Sequence, residues 1–216
     1  GFRWSGGVMT GLGSLPGHSG SRGDGVSADG SVVVGYSYSA GSSNAEAFRW
    51  SGGVMTSLGF LSGGSDSRAR GVSADGDVVV GWSHTTDEYA SSEAFRWADG
   101  TMTSLGVLPG AHSSAALGVS ADGALVVGVS EIADNTAFRW SNGVMSDLGA
   151  FPDGVYYTVA SAVSADGSVV VGLMRDGDNE EAFRWSEGEL LALGQLPESV
   201  SSFAQAVSAD GQIVVG

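Results

Sequence analysis

Residues 47–59 read Ala-Phe-Arg-Trp-Ser-Gly-Gly-Val-Met-Thr-Ser-Leu-Gly, and residues 71–81 read Gly-Val-Ser-Ala-Asp-Gly-Asp-Val-Val-Val-Gly. Versions of both stretches occur five times. The Phe-Arg-Trp triplet starts at Phe2, Phe48, Phe95, Phe138 and Phe183, at intervals of 46, 47, 43 and 45 residues. The Val-Ser-Ala-Asp-Gly block starts at Val26, Val72, Val119, Val163 and Val207, at intervals of 46, 47, 44 and 44. Two markers with one count and nearly one period define a repeat array, which sets the architecture before any single residue is interpreted.

Each repeat carries four short strand signals. The first ends in the Val-Ser before Ala-Asp-Gly, and the second is the run Val78-Val79-Val80 that continues past Gly81 to Trp82. The third is Ala47-Phe48-Arg49-Trp50, and the fourth runs from Val54 to Leu58. Asp-Gly and Asn-Gly between them supply the positive φ of tight hairpins. A consecutive Val run is apolar on both faces, so its sheet should be covered on both sides. No stretch has a helical apolar period with caps. These features predict an all-β, five-bladed β-propeller of four-stranded antiparallel blades, residues 1–216 forming one domain. A β-solenoid, the alternative, has shorter periods and needs capping ends. The chain opens on a third strand and closes on a second strand. Two N-terminal strands plus two C-terminal strands are therefore expected to complete a split blade and leave no open edge.

Composition bounds the function. A chain of 216 residues can bury roughly 70% of its unfolded surface. Its 36 Gly and four Pro fit many tight turns, and the absence of Cys excludes disulfides and thiolate metal sites. All nine basic residues are Arg, against 24 acidic residues, for a net charge of −15. Such a charge repels nucleic acid and anionic membranes. It suits a secreted bacterial protein in salty water, and solubility is its simplest role. No transmembrane run or signal peptide is present, and because Gly1 falls within a repeat, upstream sequence is expected to have been removed.

The repeated residues are expected to be scaffold. Arg3, Arg49, Arg96, Arg139 and Arg184 recur in step with Asp29, Asp75, Asp122, Asp166 and Asp210. They are expected to pair with one another, or to cap turns, within a blade. Five ligand-binding Arg or five calcium sites are the functional alternatives. Calcium needs six to eight oxygens and each Ser-Ala-Asp-Gly turn offers one carboxylate, so no cofactor is expected.

Copies disagree in the connections from second to third strand and from fourth strand to the next first strand. Alternate connections of an antiparallel blade share an end, so both variable sets emerge on one face, the candidate functional surface. Tyr36, Tyr38, Trp82, His84, His112, Tyr156, Tyr157, Arg68 and Arg70 are its candidate ligand-binding residues; Tyr89 is a further aromatic there. Arg22-Gly23-Asp24 spells an integrin-type tripeptide, read as coincidence in a chain this rich in Gly and Asp. Asp176, Asp178 and Glu180 alternate as in part of a calcium loop, but the turn Gly and later bidentate Glu are misplaced. The three His have no metal-ligand spacing, and no Gly-x-Ser-x-Gly elbow exists.

The run Glu46-Ala47-Phe48-Arg49-Trp50, then Gly53 to Gly59, then Gly71 to Gly76, resembles the bacterial extracellular HAF-repeat family, in all five copies. That family is named for a His-Ala-Phe motif; here Glu46, Glu93, Thr136 and Glu181 stand in place of the His. The resemblance implies secretion or surface display, often within larger proteins such as autotransporter-like passengers, and no chemistry. The expected function is a non-enzymatic interaction or adhesion module binding glycan or protein. A glycoside hydrolase with carboxylates at the channel mouth and a structural spacer are the alternatives.

Overall fold

A computed structural model describes residues 1–86, 91–131, 133–149, 155–177 and 179–216; Tyr89 and Asp178 lie outside them. Twenty strands follow one another: β1 (Phe2–Ser5), β2 (Val8–Gly11), β3 (Gly20–Val26), β4 (Val32–Tyr38), β5 (Ala45–Ser51), β6 (Val54–Gly59), β7 (Ser67–Val72), β8 (Val79–His84), β9 (Ser92–Ala98) and β10 (Thr101–Gly106). Then come β11 (Ser113–Val119), β12 (Leu125–Glu131), β13 (Asn135–Ser141), β14 (Val144–Asp147), β15 (Val155–Val163), β16 (Val169–Asp176), β17 (Asn179–Ser186), β18 (Glu189–Ala192), β19 (Ala206–Val207) and β20 (Val214–Val215).

β3 to β18 form four antiparallel sheets of four strands, each in chain order. One parallel contact, Ser113↔Ser92, links the second sheet to the third. β1–β2 and β19–β20 are separate hairpins flanking the four sheets. The four strand signals per repeat thus fold as read, and the two terminal half-sheets are not paired with each other.

Five apolar cores fill the gaps between successive sheets. Phe95 packs with Val32, Val34, Leu58 and Val79, which come from the first and second sheets. Phe138 does the same between the second and third, and Phe183 between the third and fourth. Phe48, Phe95, Phe138 and Phe183 are all fully buried, whereas Phe2 is 60% and Trp4 64% exposed on β1. Burying one large aromatic of this kind removes on the order of 200 Å² from water, which explains why the aromatic triplet repeats.

The first strand of each sheet lies at the inner edge, where neighbouring sheets converge. A Cβ at Gly25 would stand 3.1 Å from the Arg70 carbonyl oxygen, and one at Gly118 3.3 Å from Ala162 Cα. Each first strand bulges there, between Gly23 and Gly25 in β3 and at the same place in β7, β11 and β15. The bulge turns a first-strand carbonyl onto the glycine closing the Val run, so a side chain at Gly35 or Gly81 would overlap the Arg22 or Arg68 carbonyl.

The repeated polar residues stitch sheets together. Every one of the five Asp caps its own turn: Asp29 Oδ1 accepts from Ser27 Oγ at 2.7 Å and from the Ser31 N–H at 2.9 Å. The pattern holds at Asp75, Asp122, Asp166 and Asp210. Pairing of these Asp with the repeated Arg is not seen among the described residues. Arg3, Arg49 and Arg96 instead donate from Nε to the glycine carbonyls of the next sheet's turn, Gly30, Gly76 and Gly123, at 2.7, 2.9 and 3.3 Å. The carboxylate is already taken by its turn, and the carbonyl is what that turn leaves open. Arg139 lies over the Trp185 ring, and Arg184 donates to Ser186.

Two further bridges had no sequence prediction. Ser67 Oγ accepts the Ala47 N–H at 2.9 Å and donates to the Gly59 carbonyl at 2.7 Å, tying the first strand of one sheet to the third and fourth strands of the sheet before it. Ser114 and Ser202 repeat this arrangement, and Thr158 takes the same N–H contact. In addition, backbone N–H groups of Ala28, Ala74, Ala121 and Ala165 each donate to the alanine carbonyl of the following turn, at 2.9–3.1 Å. Those bonds form a belt running from Ala28 to Ala209.

Candidate functional site

The variable connections do share one end. The connection after β4 meets the one before β3 through Ala40 N–H to Ser19 Oγ at 2.7 Å, and Ser91 N–H reaches the His112 carbonyl at 3.2 Å. First strands enter from this end and second strands rise to it. Their residues near it therefore form the inner rim of the variable face.

Five of the nine candidate residues meet there in one continuous stack. Tyr38 and Tyr36 on β4 have ring centres 6.2 Å apart. The Arg68 guanidinium, on β7 of the next sheet, lies 4.8 Å from the Tyr36 ring centre and 5.2 Å from that of Trp82 on β8. Trp82 and His84 follow at 5.4 Å. The stack crosses from one sheet to its neighbour, held by cation–π attraction at its middle. Both ends are exposed, Tyr38 at 40%. Gly20 lets Tyr38 settle, since a Cβ at that position would stand 2.8 Å from the Tyr38 ring.

Beside the stack, Asp24 carries two guanidiniums: Arg22 Nε at 2.7 Å and Arg70 Nη1 at 3.0 Å. The hydrogen bond and charge of Asp24 raise the Arg22 pKa further above its ordinary value. Arg22 and Asp24 are thus locked to each other on a strand with the Asp24 side chain buried, so the Arg22-Gly23-Asp24 tripeptide is not displayed as a loop. Asp66, also buried, accepts the Ala45 N–H at 3.2 Å and stands 3.6 Å from Arg68 Nε. These carboxylates serve to hold cations and backbone in place.

The other candidates lie elsewhere on the face. Tyr157 accepts from Asn135 Nδ2 at 2.9 Å and lies under the Arg175 guanidinium, which is paired with Glu180. Tyr156 donates its hydroxyl to the Gly177 carbonyl at 2.9 Å. His112 is exposed and takes part through its backbone. Arg22, Asp24, Asp66 and Arg175 were missed as site residues. A signal existed: with the five triplet Arg set aside, only Arg22, Arg68, Arg70 and Arg175 remain of nine. Among the described residues no three His, Cys, Asp or Glu gather as a metal site.

Several solved structures share this arrangement. TolB from Acinetobacter baumannii matches 90% of this chain at 15% identity with a TM-score of 0.60. A putative TolB from Agrobacterium tumefaciens matches 88% of it at 16% identity, also with a TM-score of 0.60. The fold is propeller-like. Prolyl oligopeptidase B from Galerina marginata matches 90% of the chain at 13% identity with a TM-score of 0.55. The chain spans 48% and 66% of the two TolB chains and 29% of the oligopeptidase. At such identities the likeness concerns the fold alone. No protein-family description and no curated protein matches the sequence. In propeller terms the four sheets are blades, and the aromatic stack bridges the first two of them on the variable face. No helix among the described residues is long and apolar enough to cross a membrane.

Proposed function

We propose that this chain is an extracellular or cell-surface interaction module that binds glycan or protein through its variable-loop face. The observation that carries this reading is the Tyr38–Tyr36–Arg68–Trp82–His84 stack, open at both ends, on the face where the repeats diverge. Nothing in the repeat pattern demands it: the positions of Tyr36 and Trp82 are Val129 and Leu173 in the next two blades. Rigid strands beneath hold the rings, so little side-chain order is lost on binding. The test is a glycan array and a panel of extracellular proteins probed with the isolated chain, with and without a chelator. Selective binding that is lost on replacing Tyr38 by Ala is expected. No binding on either panel would overturn the proposal.

The same proposal includes a closed ring of five blades. In each complete blade the Val run pairs with the aromatic triplet in one register, Val33↔Trp50, Val34↔Arg49 and Gly35↔Phe48. Applied to the terminal hairpins, that register sets Val214 opposite Trp4, Val215 opposite Arg3 and Gly216 opposite Phe2. Such pairing would cover Phe2, Trp4, Ile213 and Val215, all of which are exposed. It would also allow Ala209 to donate to Ala28 and complete the belt.

A further inference from the structure

We infer that the aromatic stack binds a short oligosaccharide carrying a carboxylate, a uronic-acid sugar, with Arg68 reading the acid and Tyr38 stacking on a pyranose face; this rests on the variable face being a binding surface. The argument starts from how Arg68 differs from its neighbours. Arg22 and Arg70 each donate to Asp24, at 2.7 and 3.0 Å, although Arg70 Nε, like Arg68 Nε, is shielded without an acceptor. Arg68 donates no hydrogen bond among the described residues. Its Nε is shielded from water without an acceptor, and Asp66 at 3.6 Å is beyond hydrogen-bond reach.

The rings decide what such a donor can accept. Tyr36 and Trp82 occupy the space over the guanidinium plane and Nε is shielded, so the terminal Nη edge of this partly exposed side chain is the part left for a ligand. A planar N–H edge fits a carboxylate through two parallel bonds. Among the connected side chains three Arg meet two Asp, a local positive excess on a chain of net charge −15. That overall charge disfavours polyanions such as nucleic acid, which leaves a ligand with few charges. Tyr38, exposed and seated on Gly20, adds an aromatic surface at one end, and an amphipathic ring of this kind suits the C–H face of a sugar better than an acidic peptide.

Isothermal titration of the isolated chain with glucuronosyl-glucose, its methyl ester, cellobiose and a tetraglutamate peptide tests the inference. The acid should bind about tenfold more tightly than its ester, the worth of a charge-assisted hydrogen bond. Arg68→Met should abolish the preference, so that acid and ester bind equally. Tyr38→Ala, at an exposed position, should weaken all three sugars. Near-UV circular dichroism checks that Arg68→Met keeps its fold, and Arg68→Lys, which retains charge without the planar edge, should fall between wild type and Met. Equal binding of acid and ester would overturn this inference while leaving the broader reading standing. Tighter binding of the peptide than of the sugar acid, or full affinity in Arg68→Lys, would overturn it too. Silence of all four probes would overturn it as well, and the array and protein panels then decide the broader reading independently.

Discussion

Truncating two equivalent tryptophans measures whether the ring closes. Trp50 sits in a core with Leu12, Leu15, Val33 and Phe48 and is 9% exposed; Trp4 holds the same repeat position on β1 and is 64% exposed. Trp50→Ala removes a packed aromatic and should cost about 3–5 kcal/mol. For a chain of this size each kcal/mol lowers the melting temperature by roughly 2–4 °C, so a loss of about 10 °C is expected. An unpaired hairpin would let Trp4→Ala pass at about 0.5 kcal/mol or less, as for other surface substitutions. If β20 pairs with β1, Trp4 stands opposite Val214 and Trp4→Ala should approach the Trp50→Ala value. Differential scanning calorimetry of both variants separates the cases. Coupling of Trp4→Ala with Val214→Ala beyond about 0.5 kcal/mol would place the two residues in contact. A Trp4→Ala shift below about 2 °C, with additive behaviour in the double variant, would refute closure. A melting temperature that rises with protein concentration would assign the pairing to two copies instead of one.

Two further outcomes test the stitching between blades. Ser67→Ala strands the buried Ala47 N–H, at about 1–3 kcal/mol for a buried group left unpaired, and takes a donor from the part-buried Gly59 carbonyl. Urea denaturation should show a lower midpoint at unchanged slope, whereas Ser67→Thr should be tolerated because Thr158 fills that position in the fourth blade. Asp166 is held at a pKa of about 2 by the Ser164 hydroxyl, the Ser168 N–H and the Ser168 hydroxyl, below its ordinary 3.8. A depressed folded-state value means its contribution is present above the unfolded pKa near 4 and disappears as pH falls through about 2. Melting of wild type should therefore drop more between pH 5 and pH 2 than melting of Asp166→Asn; equal drops would contradict this role.

Much of the scaffold could be read directly. The Val runs, the aromatic triplets and the Asp-Gly turns are local signals, each set by φ/ψ preference or by burial on both faces. The strands appear where those signals stand, and the five Asp cap their turns because Ser, Asp and the following N–H lie within five residues of one another. The fate of the repeated Arg was not legible. An Arg and an Asp that recur in step invite pairing, yet the partner is a carbonyl in the adjoining blade, and only the packing of blades shows which acceptor remains free. Ser67 and Ser114 were overlooked for the same reason, as a serine in a Ser-rich chain carries no mark of burial until its neighbours are placed.

The candidate site divides in the same way. Divergence among the copies singled out the face and named Tyr36, Tyr38, Trp82, His84 and Arg68, because a rigid repeat confines variation to its loops and rims. Their assembly into a single stack, and the separation of Tyr156, Tyr157 and His112 from it, depended on which blades are neighbours and on the bulge that orients each first strand. By itself the sequence determined the period, the strands and the turns, since these are governed by interactions within a few residues. The tertiary structure decided where each guanidinium finds its acceptor and which aromatic rings touch. The contacts between blades, such as Arg3 to Gly30, Arg68 to Tyr36 and Arg70 to Asp24, join residues 27 to 46 positions apart, and only the packing of one blade against the next brings them together.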